Sequence, residues 1–410
     1  MSPREIRIED YHYDLPHDRI AITPLENREE SKLLVFRDGN ISHTRFFNLP
    51  ELLPKDSLVI WNNTRVIPAR LEFLKHTGAL IEIFLLEPVR PSIYIRMFSQ
   101  TGSCEWDCII GNQKKWKGEV LEKSTEAIEG TVRLTAAYAG NRGQNRILLK
   151  WFPQTLPFSR ILELFGKTPI PPYLKRDATE EDKTRYQTVY ADFDGSVAAP
   201  TAGLHFTPGL IAQMKARNLH FQSLTLHVGS GTFIPVKSET IGEHRMHAET
   251  VIISKSTIQY LKGVGPDQLT VVGTTSLRSL ESLYWLGQKI HMEPDSDPEN
   301  LFIEQWIPYD QESKLSVQDS LDTILGFLDS RGLEEIKFIT RLLIAPGYRF
   351  KLVNRLITNF HQPSSTLLLL VSALTGEKWR EIYRYAMDHD FRFLSYGDSS
   401  LLEMQPENHG

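Results

Sequence analysis

Residues 269–287 read LTVVGTTSLRSLESLYWLG, and the order of events within them decides the fold. The run LTVV is apolar, β-branched and too short for a helix, so it suits a strand buried on both faces. Gly273 follows, then a threonine placed to cap, then Leu277, Leu280 and Leu283 at helical spacing, with Gly287 as the expected stop. A buried strand feeding directly into an amphipathic helix is the repeating unit of α/β folds. The pattern recurs along the chain. DSLVIWNN (56–63) and FQSLTLHVG (221–229) read as buried strands. HFTPGLIAQMKARN (205–218) reads as a helix capped by Thr207, with Pro208 in the first turn, where its missing N–H is harmless. SVQDSLDTILGFLDSRG (316–332) carries Ser316 and Asp319 as a capping pair and stops at Gly332, and EKWREIYRYAMDHD (377–390) is a late amphipathic helix. MEPDSDPEN (292–300) reads as an exposed loop.

Between Leu71 and Phe152 the character changes to all-β. ALIEIFLLEP, SIYIRMFS, CEWDCIIG, EGTVRLTAAYA and RILLKWF are short alternating or β-branched runs divided by turns rich in Gly, Asn and Lys. Mixed α/β segments on both sides of such a block imply a discontinuous α/β domain, 1–70 and 153–410, with a small antiparallel β-barrel inserted at 71–152.

Composition excludes several classes. With 410 residues, 41% of them hydrophobic, the chain buries a large core without staples. Its two cysteines, Cys104 and Cys108 in CEWDC, lack a second ligand pair and read as ordinary strand residues in a reducing compartment. The start, MSPREIRIEDYHYDLP, is charged, and the longest apolar run, TLLLLVSAL, is about half of a membrane crossing. A cytoplasmic protein with no membrane partner is expected. A net charge of −5 argues against a generic polyanion binder, yet Arg341, Arg349, Lys351 and Arg355 share a stretch without acids, as do Arg142, Arg146, Lys150 and Arg160.

No standard nucleotide fingerprint is present. Gly229 and Gly231 in HVGSGTFIP form a Gly-x-Gly pair, but Ile234 stands where a dinucleotide turn needs a third glycine, and Pro235 follows instead of a helix. Four histidines, His205, His227, His244 and His247, lie close in sequence among turn residues, with Glu249 just beyond. HRMHAE lacks the i, i+4 spacing of a helical zinc site, so proton transfer or hydrogen bonding is the expected role and no metal is expected. Thr274, Thr275 and Ser276 occupy a strand-to-helix junction, the place where open α/β sheets bind ligands, with Arg278 and Glu281 one turn inside. Arg278 and Glu281 also fit a plain surface ion pair at i, i+3. In TNFHQPSST, Ser364 or Ser365 caps the helix that follows, and a free helix N-terminus there would attract a carboxylate or phosphate.

Ten segments in unbroken order carry a resemblance over nearly the whole chain. They are YDLPHDRIAITPLENREESKLLV, LVIWNNTRVIPARL, PIPPYLKR, RYQTVYA, GSVAAPTAGLHFT, LHVGSGTFIPV, HRMHAE, VGTTSLRSLES, APGYRFKLVNRLITNFHQPSSTLLLLVSAL and FRFLSYGDSSLL. Together they resemble the S-adenosylmethionine:tRNA ribosyltransferase-isomerase family of queuosine biosynthesis. The resemblance implies an α/β domain with an inserted β-barrel. It also implies transfer of the ribosyl part of S-adenosylmethionine to 7-aminomethyl-7-deazaguanine at the tRNA wobble position, giving epoxyqueuosine, adenine and methionine. S-adenosylmethionine would be a co-substrate, with no permanently bound cofactor and a monomer rather than an obligate oligomer. Departures from the family pattern are Asn354 in place of Asp, Gln362 in place of Leu, Thr250-Val251 after HRMHAE, and a long segment from about His291 to Arg341. A paralog that binds RNA without this catalysis, or uses S-adenosylmethionine on another substrate, is the alternative.

The reaction needs a base at the carbon next to the sulfonium and an acid at the departing adenine. His205, His227, His244 and His247 form the expected pool, with Glu249 and Asp398 as orienting or acidic partners. Ala202, Gly203, Gly229, Gly231, Thr274, Thr275 and Arg278 are expected to hold S-adenosylmethionine, the small residues closing around its adenine or ribose. Tyr186, Tyr190 and Phe233 are candidate aromatic faces for the sulfonium. Arg349, Lys351, Arg355, Asn359 and His361 are expected to contact the tRNA.

Overall fold

The computed structural model describes residues 2–140, 145–227, 236 and 238–404. The chain divides into two compact units, one of Met1–Thr64, Gln187–Ala191 and Pro200–Gly410, the other of Arg65–Tyr186 and Asp192–Ala199. Residues 71–152 lie inside the second unit.

The first unit is a ten-stranded mixed sheet with helices. Its strands are β1 (Lys32–Arg37), β2 (Asn40–Arg45), β3 (Leu58–Asn62), β4 (His220–His227), β5 (Glu249–Ser254), β6 (Leu269–Val272), β7 (Phe302–Ile303), β8 (Glu335–Thr340), β9 (Arg355–Asn359) and β10 (Ser399–Glu403). The spatial order is β7-β8-β5-β4-β3-β6-β9-β10-β1-β2. The four central strands, β4, β3, β6 and β9, run parallel. Burial explains their apolar runs: every residue of β3, β6 and β9 is buried. The principal helices are α1 (Pro208–Ala216), α2 (Lys255–Lys262), α3 (Thr274–Met292), α4 (Val317–Arg331), α5 (Thr366–Thr375) and α6 (Trp379–Asp388). Thr207, Ser316 and Ser365 each accept from a backbone N–H in the first turn of the helix they precede. Gly332, at φ +64°, ends α4 as the sequence indicates.

Gly287 does not end α3, which continues to Met292. A Cβ at Gly287 would fall 2.4 Å from the Ser320 carbonyl oxygen, so this glycine serves a close approach of α4 to α3. The long segment after His291 is built into the sheet: β7 pairs with β8, and β8 pairs antiparallel with β5. Asn354 is accommodated in kind, its side-chain amide donating to Asp267 at 2.6 Å, where a carboxylate would meet another carboxylate.

The second unit holds a seven-stranded antiparallel sheet. It curls until Lys123, on the edge strand Leu121–Ala127, donates to the carbonyl oxygens of Glu72 and Phe165 at 3.0 Å each. A curled sheet buries one face of every strand, and Phe73, Ile83, Trp106, Leu134, Leu149 and Phe158 fill that interior. SIYIRMFS is not a strand: Tyr94–Ser99 is helical. Cys104 and Cys108 are free and buried, and burial pushes both thiols up. In the expected basic stretch, Arg146 pairs with Asp107 and Arg160 with Glu129 and Glu163, so acids from elsewhere in the fold neutralise it; Arg142 lies outside the described residues. Among the described residues no helix is long and apolar enough to cross a membrane.

Candidate active site

The carboxyl ends of the parallel strands gather the functional residues, as open α/β sheets do. One pocket of about 50 Å³ is lined by His244, His247, Glu249, Thr274, Thr275, Arg278 and Thr366, with Met246, Leu343, Ile344, Leu367 and Leu370 as its apolar wall. Gly273 makes the turn from β6 into α3 at φ +92°, a conformation costly for any other residue. No side chain caps α3, so its first N–H groups stay available beside Thr274 and Thr275. The first turn of α5 reaches the same pocket through Thr366 and Leu367. Two helix N-termini thus place partial positive charge on one cavity, which favours an anionic group.

Arg278 donates to Glu249, and both side chains are buried. The surface ion pair between Arg278 and Glu281 is therefore not formed. Glu281 is instead fully buried and accepts from Tyr348 Oη at 2.8 Å and from the backbone N–H groups of Lys351, Leu352 and Val353 at 2.9–3.0 Å. Burial still raises its pKa. The segment carrying His244 and His247 is held at both ends of one amide: Gln305 Nε2 donates to His244 O at 2.8 Å, and Gln305 Oε1 accepts from Met246 N at 3.0 Å. His244 is half-buried, and burial, then the neighbouring His247, lowers its pKa, leaving it neutral at neutral pH and able to take a proton. His247 is exposed. Among the described residues no three His, Cys, Asp or Glu side chains are arranged to hold a metal ion.

His205 stands outside this pocket. Its Nδ1 is 2.9 Å from Ser31 Oγ, and its Nε2 is 3.3 Å from Asn359 Nδ2. Asn359 Oδ1 accepts from Thr201 Oγ1 at 2.9 Å, so Nδ2 faces the ring; Nε2 then accepts, and Nδ1–H donates to Ser31. Both ring nitrogens are used, and burial pushes the pKa down to about 4. A histidine in that state does not titrate near neutral pH, which corrects the expectation that a neutral segment leaves it free to do so. The small residues before it have a packing cause. A Cβ on Gly203 would lie 1.9 Å from Tyr190 Oη, and the Tyr190 ring stacks on Trp61 at 3.9 Å. Tyr190 thus packs directly against Gly203.

His227 is buried at the end of β4, paired across the ladder with Thr250. Asp398 is no free acid: it is buried and accepts from Lys32 N at 3.0 Å, Arg392 N at 2.8 Å and Arg392 Nη2 at 3.3 Å. Ala202 packs beside the Gly273 turn, while Gly229, Gly231 and Phe233 lie outside the described residues. Tyr186 is fully buried, and one face of the half-buried Tyr190 ring is stacked on Trp61.

The expected tRNA set divides. Arg349 is exposed and Lys351 lines a second, larger pocket. Arg355 is buried and paired with Glu403 at 2.9 Å, and Asn359 is bound to His205 and Thr201. His361 bonds Thr358 through Nε2 at 2.9 Å, and burial pushes it down to about 3. These three are interior supports, not phosphate contacts. Sequence reasoning missed Gln305 and Glu281 as organising residues; the raw signal for Glu281, a carboxylate on the apolar side of a helix, was present in SLRSLESL.

The queuosine biosynthesis protein family profile matches residues 8–402. A curated S-adenosylmethionine:tRNA ribosyltransferase-isomerase from Nitrosomonas europaea is 36% identical over 412 residues, covering 98% of each chain. A protein of the same name from Brucella ovis is 36% identical over 409 residues, covering 97% of this chain and 98% of that one. The crystal structure of an S-adenosylmethionine tRNA ribosyltransferase from Thermotoga maritima is similar at 27% identity and a TM-score of 0.43, covering 96% of this chain and 99% of that one. With a match of this extent joined to a pocket at the strand ends, the chain belongs to the queuosine biosynthesis protein family of ribosyltransferase-isomerases.

Proposed function

We propose that the chain transfers and isomerises the ribosyl moiety of S-adenosylmethionine onto 7-aminomethyl-7-deazaguanine at the tRNA wobble position, yielding epoxyqueuosine, adenine and methionine. The observation that carries this reading is the cavity where His244 and His247 meet the Arg278–Glu249 pair and two helix N-termini. At about 50 Å³ it accepts one end of a ligand and not a whole nucleoside. The methionyl end suits it: the carboxylate faces the N–H groups of α3 and α5, and Glu249 lies within reach of the ammonium.

With that end anchored, the carbon next to the sulfonium lies toward the histidines. His244, neutral, takes its proton as general base. Adenine departs once a ring nitrogen is protonated, opening the ribose to a vinyl sulfonium and an aldehyde. The aminomethyl nitrogen of the deazaguanine adds to the alkene, losing a proton. The sulfonium-stabilised carbanion closes on the aldehyde, and the resulting alkoxide displaces methionine to form the epoxide. A positioned acid or base contributes about 10²–10⁴ in rate. His205 acts here as a positioning residue, tying the Ser31 segment to the end of β9 through Asn359. Exposed Arg349 is the tRNA contact retained from the expected set.

Product analysis tests the reading. Incubation with S-adenosylmethionine and tRNA bearing the deazaguanine should release free adenine and methionine in equal amounts. S-adenosylhomocysteine in their place identifies a methyltransferase, and tRNA binding with neither product identifies a binder; either outcome overturns the proposal.

A further inference from the structure

Two cations in the loop after β8, Arg349 and Lys351, make no ion pair among the described residues and face one cavity. Among the described residues the Arg349 guanidinium makes no ion pair or hydrogen bond, and it is exposed. Lys351 is only 7% exposed, and its Nζ makes none either, lying 5.6 Å from the centre of the Tyr284 ring. The contrast with other buried cations is informative: Arg278 has Glu249 and Arg355 has Glu403. Burying an ammonium without a close ion-pair partner is costly, and an anionic ligand at that position would offset the cost. Burial lowers the Lys351 pKa, and the Glu281 carboxylate opposes that shift.

Both cations line a pocket of about 510 Å³, with Trp285, Gln311, Glu312 and Ser313 among the other walls. None of its lining residues belongs to the His244 pocket. Its volume falls in the range of about 300–1,000 Å³ found for small-molecule sites, roomy enough for a nucleotide. Pro308, Gln311, Glu312 and Ser313 come from the segment between α3 and α4. We infer that this pocket is a phosphate subsite, separate from the reaction pocket, in which Arg349 and Lys351 hold a phosphate group of a nucleotide or of an RNA backbone. Arg349 supplies a planar fork and Lys351 a point charge, while the Gln311 amide adds a neutral donor. Glu312 is the sole carboxylate in the lining and leaves a net charge of one positive unit. The RNA source rests on the tRNA reading above; the subsite itself does not.

Calorimetric titration of the full chain with inorganic phosphate, with AMP and with an anticodon stem-loop tests this. K351M, and separately the exposed R349A, should each weaken phosphate binding about tenfold or more, and E312Q should tighten it. If RNA is the source, each cation removed should reduce the salt slope of stem-loop binding by about 0.7–0.9. An unchanged slope with weakened AMP binding assigns the site to a free nucleotide. Phosphate affinity that is absent in the wild type, or equal in the wild type and both cation variants, overturns the subsite. Adenine release from S-adenosylmethionine, measured on the same preparations, keeps the two claims apart. Release with no Lys351-dependent phosphate binding sinks the subsite alone, and the converse sinks the reaction alone.

Discussion

His205 gives the sharpest quantitative test, because its surroundings determine a protonation state that is directly measurable. Desolvation of the ring holds its pKa at about 4 in the folded chain, against an ordinary value of 6.5. The unfolded chain therefore binds more protons between these values, and stability contributed by this group is present above about pH 6.5 and lost as pH falls toward 4. Two-site linkage with these values gives a loss of about 2 kcal/mol between pH 7 and pH 5 from His205 alone. The perturbation is H205Q, whose amide oxygen can still accept from Asn359 but carries no titrating ring. Carbon-13 NMR of ring-labelled histidine, with the His205 signal assigned by its disappearance in H205Q, should show a neutral ring down to about pH 5. The urea midpoint of the wild type should fall more steeply with acid than that of the variant. His361, also depressed, contributes equally to both and cancels in the comparison. As a positioning residue, H205Q should retain most of kcat at neutral pH with no displaced acid limb in its pH–rate profile. A His205 signal titrating near 6.5, or a pH-rate limb lost in H205Q, refutes both the tautomer assignment and the positioning role.

Three further outcomes are expected. H244N should lower kcat for adenine release by about 10²–10⁴ while S-adenosylmethionine still binds, and single-turnover kinetics separates these effects; full turnover removes His244 as the base. E249Q leaves Arg278 buried without its counterion and should destabilise the first unit by about 3–5 kcal/mol, read by thermal unfolding. G203A forces Tyr190 off Trp61 and should cost about 1–3 kcal/mol, seen as altered tryptophan fluorescence and a lower melting temperature.

Much of the architecture is local information. The apolar β-branched runs that became β3, β6 and β9 are short because a strand needs few residues, and continuous because both faces are covered. Thr207, Ser316 and Gly332 act at helix ends through bonds spanning three or four residues, so nothing distant is needed to read them. The ordered segments from Tyr13 to Leu402 likewise identify the family without any structure. Where a neighbour far along the chain sets the environment, local reading fails. Gly287 looks like a stop until Ser320 packs against it, and the reason for a small residue at Gly203 is invisible until Tyr190 packs there. SIYIRMFS has strand-like composition yet is helical, a tertiary override of weak propensity.

The same division runs through the functional residues. Residue types and order in the sequence were enough to nominate histidines, Glu249, the Thr274–Thr275 junction and Arg278, because chemistry restricts which side chains move protons or hold anions. Only the fold separated His244, His247, Glu249 and Arg278, which share a cavity, from His205 and Asp398, which are spent on internal hydrogen bonds. Only the fold, too, turned Arg355 inward to Glu403 and buried Lys351 without an ion-pair partner. The physical reason is that pKa and availability depend on burial and on partners tens to hundreds of residues away, and a linear sequence names the partners without saying which of them meet.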